Sequence, residues 1–250
     1  MNNESVQKMR SSAKHIGTWL AIGSPIIDEL AASFPFDWLL LDLEHGYTTE
    51  ASLLSNLQAL KCENIVPIVR IGEFDLSVIS HCLDWGAGGI MLPHVDSALR
   101  AVQCVSAMQY PPLGLRGYSS SARSFTFGLN KATDISKIPQ PLFFAQIESC
   151  KGAMNAKNIA SVPGVDILFV GPSDLKLDFS THTDGIFGDF DAILVKIIAD
   201  AKACNKQAGI LAKTPDDLKK YLAMGFTVIA YGSDLLILRQ GFDRYIEILG

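Results

Sequence analysis

What most constrains the fold is a rhythm. Eight short apolar runs recur along the 250 residues, at Thr18–Ile22, Trp38–Leu43, Val66–Arg70, Gly89–Leu92, Leu142–Ile147, Ile167–Val170, Gly209–Leu211 and Thr227–Ala230. Each is too short for a helix and rich in β-branched or aromatic residues, which marks a strand buried on both faces. Segments of helical periodicity separate most of them: Glu50–Cys62, Leu76–Asp84, Ser97–Met108, Lys151–Ser161, Phe190–Cys204 and Pro215–Met224, with Asp234–Leu249 closing the chain. Strand, crossover helix and strand again imply parallel pairing, and eight repeats predict closure as a (β/α)8 TIM barrel, one domain spanning residues 1–250. Glycines in Asp84-Trp85-Gly86-Ala87 and Met224-Gly225-Phe226 stop a helix just before a strand. The rival is an open doubly wound sheet, which wants a Gly-rich phosphate loop after its first strand; Ala21-Ile22-Gly23-Ser24-Pro25 is not one.

Composition narrows the partners. A net charge of −5 with no basic cluster argues against nucleic acid and anionic membrane surfaces. The polar start MNNESVQKMR does not read as a signal peptide, and no run approaches the ~20 apolar residues that span a bilayer. Five widely spaced cysteines (Cys62, Cys82, Cys104, Cys150, Cys204) fit neither disulfide nor zinc spacing, so reduced thiols in a cytoplasmic protein are expected. Two segments break the rhythm, Tyr110 to Gln140 and Leu177 to Asp189, and both are expected as loops at the active-site end of the barrel. The apolar face of the last helix is expected to pack on another subunit.

Polar residues fall where strands end. WLLLDLEHG delivers Asp42, Glu44 and His45; IVPIVRIG ends in Arg70; GIMLPHV ends in His94; the fifth strand supplies Gln146 and Glu148, and Asp174 follows Gly171-Pro172-Ser173. Barrel enzymes keep their chemistry at these C-terminal ends. Adjacent parallel strands lie roughly 5 Å apart, so Glu148 and Asp174 could share one cation. Two carboxylates without a cysteine make a hard oxygen site suited to Mg2+ or Mn2+. Such an ion could chelate a 2-oxo acid and stabilise its enolate, with Arg70 adding positive charge and His45 carrying the proton. Each residue has a plainer reading. Glu148 or Asp174 could cap the helix that follows, Arg70 could merely pair with Asp42 or Glu44, and His45 or His94 could be hydrogen-bonded structure; His15, His81 and His182 look structural or solvated. Asp84 ends a helix, where a carboxylate opposes the helix dipole and calls for a specific partner.

The motifs DLEHG (42–46), VPIVR (66–70), LDWGA (83–87), YPP with GLRG (110–117), QIE (146–148), GPSDL (171–175) and GSD (232–234) together resemble the HpcH/HpaI aldolases, metal-dependent class II pyruvate aldolases, across essentially the whole chain. The resemblance implies that Glu148 and Asp174 bind a divalent metal (Mg2+ or Mn2+, possibly Co2+). It further implies that His45 is the acid/base group paired with Asp84, that Arg70 stabilises the enolate, that Gln146 contacts the 2-oxo acid, and that the backbone around Gly171 and Ser173 receives its carboxylate. The implied reaction is reversible cleavage of a 4-hydroxy-2-oxo acid to pyruvate and an aldehyde, in a homohexamer whose last helix is swapped between subunits. Leu175-Lys176-Leu177-Asp178 and Gly117–Arg123 depart from the family pattern on the aldehyde side. A citrate-type condensing or oxaloacetate-decarboxylating enzyme is the alternative on this scaffold. Two others are a Schiff-base aldolase built on Lys213 and a non-catalytic binding subunit.

Overall fold

The computed structural model describes all residues except 1–2, 12, 62–63, 131–133, 136–137, 182–187 and 250. Cys62 and His182 therefore lie outside the described residues. Eight parallel strands close in sequence order: β1 (His15–Leu20), β2 (Trp38–Asp42), β3 (Val66–Arg70), β4 (Gly89–Leu92), β5 (Leu142–Ile147), β6 (Ile167–Val170), β7 (Gln207–Ala212) and β8 (Val228–Ser233), with β8 pairing back onto β1. The helices are α1 (Asn3–Met9), α2 (Pro25–Ala32), α3 (Glu50–Ala59), α4 (Leu76–Asp84), α5 (Ala98–Met108), α6 (Cys150–Met154), α7 (Ala156–Ala160), α8 (Pro172–Thr181), α9 (Phe190–Ala203), α10 (Pro215–Met224) and α11 (Asp234–Leu249). The expected barrel is thus present.

The two-residue period of the strands sorts side chains into two cores. Leu39, Leu41, Val69, Ile90, Phe143, Ala145, Ile147, Leu168 and Val170 face outward and pack with the helices. Trp38, Leu40, Val66, Ile68, Met91, Leu142, Phe144, Ile167 and Phe169 face inward and fill the barrel. Trp38 lies at its centre, with Phe144 and Phe169 ring centroids 5.4 and 5.9 Å away. Gly17 makes room for it: a Cβ there would stand 2.4 Å from the indole. Helix α1 closes the floor by placing Val6 and Met9 in the inner core. Arg10 then ties that end to the sheet, its Nε 2.9 Å from Asp166 Oδ1 and its Nη2 2.9 Å from the Gln140 carbonyl.

Several expectations are corrected. The segment Tyr110 to Gln140 joins α5 to the start of β5, so it lies at the N-terminal end of the strands, opposite the end anticipated. It contains a 3-10 turn at Arg123–Gly128, whose Arg123 guanidinium reaches the Trp85 carbonyl at the end of α4. Within Leu177 to Asp189, the first five residues belong to α8, and residues 182–187 lie outside the described set. The helix expected over Lys151–Ser161 is two short ones hinged at Asn155. Helix α1 has too few apolar positions to show a period, and α2, although apolar at Ile26, Ile27, Leu30 and Ala31, spans only eight residues and opens on Ser24-Pro25, which also reads as a turn.

Where α11 leaves β8, Asp234 stitches it to β1. Its Oδ1 accepts from the Ala21 and Leu235 amides at 3.0 and 2.7 Å, and its Oδ2 from the Ile22 amide at 2.9 Å. Asp28 of α2 sits beside this carboxylate, fully buried, with neither oxygen hydrogen-bonded. Burial, and then the Asp234 charge, push the Asp28 carboxyl up to about 7. A carboxyl raised in the folded state keeps its full stability contribution below the unfolded pKa of about 4 and loses it as pH climbs toward 7. Asp28→Asn is accordingly expected to stabilise the protein by on the order of 2 kcal/mol at pH 8 and by little at pH 4, read from urea midpoints at the two pH values.

Candidate active site

The inward period that builds the core also builds the site. Continuing Trp38–Leu40 by two residues gives Asp42; Val66–Ile68 leads to Arg70; Leu142–Phe144 leads to Gln146 and Glu148; Ile167–Phe169 leads to Gly171. The hydrophobic ladders thus end in polar groups on one rim, where Asp42 and Arg70 are register partners. These residues, with His45, Ser173, Asp174, Lys213, Arg239 and Gln240, line a cavity of about 880 Å3. The cavity lies at the C-terminal ends of the strands, where barrel enzymes act.

Arg70 is held from two sides. Its Nε and Nη2 donate to Asp42 at 2.9 and 2.6 Å, its Nη1 lies 2.9 Å from Glu44 Oε2, and its guanidinium stacks over Trp19 at 5.3 Å. Burial pushes the Asp42 carboxyl up, but the hydrogen bond and charge of Arg70 outweigh it and leave the pKa lowered. For Glu44 burial prevails and the pKa is raised. The plain reading of Arg70 as a partner of Asp42 and Glu44 is therefore realised, and it fixes the guanidinium facing the cavity.

Glu148 is buried at the floor. Its Oε1 accepts from Gln146 Nε2 at 2.7 Å, and its Oε2 accepts from the His94 amide at 3.3 Å with His94 Nδ1 3.6 Å away. It is no helix cap, because Ser149 fills that role by accepting from the Gly152 amide at 2.9 Å. Burial first, then the charges of Glu44 and Asp174, raise its carboxyl to about 7, against the opposing pull of His94. Asp174, in the first turn of α8, is exposed to the cavity and close enough for its charge to be felt at Glu148.

These residues fit a divalent cation. Glu148 is a desolvated carboxylate beside a second carboxylate, a pairing that a cation relieves, and Gln146 Oε1 is buried without a partner. Among the described residues no three His, Cys, Asp or Glu side chains gather into a closed cage. The donor set is open and all-oxygen, which leaves positions for substrate. Gly171 is part of the fit, since a Cβ on it would fall 2.3 Å from Glu148 Oε1. Gly171→Ala should therefore displace the carboxylate and lower turnover by about 100-fold, with Mg2+ affinity in calorimetry falling in parallel.

The remaining expected residues are placed as follows. His45 is exposed at the cavity, its Nε2 3.9 Å from Glu44 Oε1 and its amide 3.3 Å from Asp42 Oδ1. Ser173 Oγ accepts from Lys213 Nζ at 2.9 Å. Asp84 is not with them. As the last residue of α4 it lies at the opposite end of the barrel, and the partner its position called for is Arg116, whose Nη2 is 2.6 Å away. His45 and Asp84 of one chain do not meet. Sequence reasoning gave little weight to His94 and none to Arg239 and Gln240. His94 has a φ of 50°, an uncommon backbone state that aims its amide at Glu148, and neither period nor composition signals that.

Comparison with known proteins agrees with this geometry. The profile of the HpcH/HpaI aldolase/citrate lyase family matches residues 15–240. The chain belongs to that family. Among its relatives is a 5-keto-4-deoxy-D-glucarate aldolase of Escherichia fergusonii, 36% identical over 99% of this chain and 98% of that one. Another of the same name, from Salmonella gallinarum, is 38% identical over 93% of this chain and 91% of its own. A crystal structure of an HpcH/HpaI aldolase/citrate lyase family protein from Burkholderia cenocepacia superposes with a TM-score of 0.90 at 27% identity, covering 99% of both chains. The chain is therefore a carbon–carbon lyase of the aldolase type on a TIM barrel, as the motifs implied. No helix among the described residues is long and apolar enough to cross a membrane.

Proposed function

We propose that the cavity cleaves a sugar-derived 4-hydroxy-2-oxo acid to pyruvate and an aldehyde, and runs the reverse addition. The observation that carries this is the buried Glu148 beside Asp174, with Arg70 fixed across the same rim. The relatives' name, 5-keto-4-deoxy-D-glucarate aldolase, supports a sugar-acid substrate. Glu148 and Asp174 would hold Mg2+ or Mn2+, which when bound supplies the Lewis acidity that steadies enolate charge. Gln146, fixed by its bond to Glu148, orients the 2-oxo group; the Gly171 amide is taken by the Ile147 carbonyl and Pro172 has none, so the Ser173 and Asp174 amides at the N-terminus of α8 would meet its carboxylate. Arg70 adds a positive field at the developing oxyanion without moving, because Asp42 and Glu44 already hold it. His45 stands exposed at the cavity to take the proton of the 4-hydroxyl and return it.

Assembly belongs to the same reading. Since Asp84 lies at the far end of its own barrel, it can pair with His45 only across two copies. Of the described residues of α11 only Asp234 is buried, while Ile237, Phe242, Tyr245, Ile246, Ile248 and Leu249 are exposed. A helix swapped onto a neighbour in a cytoplasmic homohexamer covers that face. Metal removal tests the function: EDTA should abolish pyruvate release from 4-hydroxy-2-oxo acids, and Mg2+, Mn2+ or Co2+ should restore it. Full activity in EDTA, with pyruvate trapped on Lys213 by borohydride, would instead establish the Schiff-base route. Turnover of oxaloacetate but of no hydroxy-oxo acid would favour the condensing or decarboxylating alternative.

A further inference from the structure

Glu148 stands on a connection of only two residues, between the end of β5 at Ile147 and the start of α6 at Cys150. Asp174 stands on a separate element, the first turn of α8. Two carboxylates carried by different elements act on one ion only if their backbones are held at a fixed separation. Two hydrogen bonds hold them, one on each side. On the barrel side the Gly171 amide donates to the Ile147 carbonyl at 3.1 Å, continuing the ladder in which Ile147 and Val170 are register partners. On the other side the Cys150 amide donates to Asp178 Oδ2 at 2.7 Å. The first bond lies one residue before Glu148 and three before Asp174, and the second lies two residues after Glu148 and four after Asp174. Both carboxylates are enclosed in one frame.

The frame depends on Asp178 for its closure. Asp178 follows Asp174 by four residues, so the two side chains leave the same face of α8 about 6 Å apart along its axis. The cavity wall takes Pro172, Ser173 and Asp174 from α8, whereas Asp178 is half-buried and bonded to the start of α6. Ser149 already caps α6 by accepting from the Gly152 amide at 2.9 Å, so the bond from Cys150 ties that helix to α8 rather than beginning it. The Ser149 hydroxyl also donates to Asp96 Oδ1 at 2.6 Å, which holds the same connection against the loop after β4.

We propose that Asp178 is a positioning residue for the cation site: by holding α8 to the Cys150 amide it sets the separation of Glu148 and Asp174, and it touches neither the ion nor the substrate. This role rests on the reading that those two carboxylates hold the metal. Without the bond the frame is pinned only at the barrel side, and α8 and the Glu148 connection are free to part.

The test is a titration of the metal-free full chain with Mn2+, the free ion being counted by its electron paramagnetic resonance. Asp178→Ala is expected to weaken Mn2+ binding by about 10-fold, the lower end of what loss of an outer-sphere support costs a metal site. Asp178→Asn should stay within about 3-fold of wild type, because its side-chain oxygen still accepts from Cys150. Cys150→Pro removes the donor instead. Cys150 is the first residue of α6, where proline is accommodated, and Ser149 before it is extended (φ −137°, ψ 156°), the conformation a following proline requires. That variant should lose the same factor of about 10, and the double variant no more than either alone, because both changes delete one bond. Melting in EDTA gives the temperature below which each variant is folded, so that affinities are compared on folded protein. Equal affinity in wild type, Asp178→Ala and Cys150→Pro overturns the proposal and leaves the metal reading intact. An Asp178→Asn variant as weak as Asp178→Ala overturns it too, since the carboxylate would then serve the ion directly. Absence of Mn2+ binding to the wild type would refute the metal reading itself, and this inference with it.

Discussion

Glu148→Gln is expected to cut aldol cleavage by about 1,000-fold or more while leaving the metal-free barrel more stable at alkaline pH than the parent. On the proposed reading, in which Glu148 and Asp174 hold the cation, the activity loss follows from halving that donor set at the point where charge develops. The stability gain follows from the sign of the pKa shift. Burial, followed by the charges of Glu44 and Asp174, raises the Glu148 carboxyl to about 7. Its favourable contribution is thus complete below the unfolded value of about 4.3 and drains away as pH rises toward 7. Above that pH the metal-free wild type carries a buried charge that the amide variant lacks, a difference on the order of 2 kcal/mol. Melting at pH 8 should show the variant higher without Mg2+, and the wild type alone should gain from added Mg2+. If both proteins respond equally to Mg2+, Glu148 is not a ligand.

Arg70→Met is expected to do the most damage to folding, about 3–5 kcal/mol at pH 7, together with a loss of turnover on the order of 1,000-fold. Methionine is close in volume and apolar, so the packing over Trp19 largely survives. What is lost is the partner of Asp42 and Glu44, leaving two carboxylates in the barrel mouth with no cation bonded to them. Asp42, now lowered by Arg70, stabilises the fold above its unfolded pKa and loses that stabilisation as pH falls through its folded one. In the variant burial at Asp42 is opposed by the Glu44 and His45 amides but no longer by a cation, and both carboxyls titrate upward. The stability gap between wild type and variant should therefore be widest near neutrality and narrow toward pH 4, as denaturant titrations at the two pH values would reveal. A gap independent of pH would mean that the damage is one of packing.

The clearest lesson about legibility lies in the strands. The apolar runs Val66–Arg70 and Leu142–Ile147 coincide with β3 and β5 because a stave buried on both faces must be apolar almost to its end. The polar residue that breaks such a run marks the active rim. Asp42, Arg70, Gln146 and Glu148 were visible for that reason. The helices α4 and α10 matched their expected bounds because a cap signal, Asp75 or Thr214, coincided with amphipathic spacing. Helix α1 could not be seen, since Val6 and Met9 are two apolar positions in a polar segment, and only the open floor of the barrel makes them a plug.

From sequence alone came the barrel, the places of Glu148 and Asp174 after neighbouring staves and, through its motifs, the family. The first two are local matters, fixed by a period of two along each strand and by adjacency of consecutive strands. Only the tertiary structure decided which end each loop occupies, that Arg116 rather than His45 holds Asp84 within one chain, that His94 turns its amide onto Glu148, and that Lys213 and Arg239 share the cavity. Those relations join residues far apart in the chain, and their distances depend on how the barrel closes. No spacing along a strand encodes that closure.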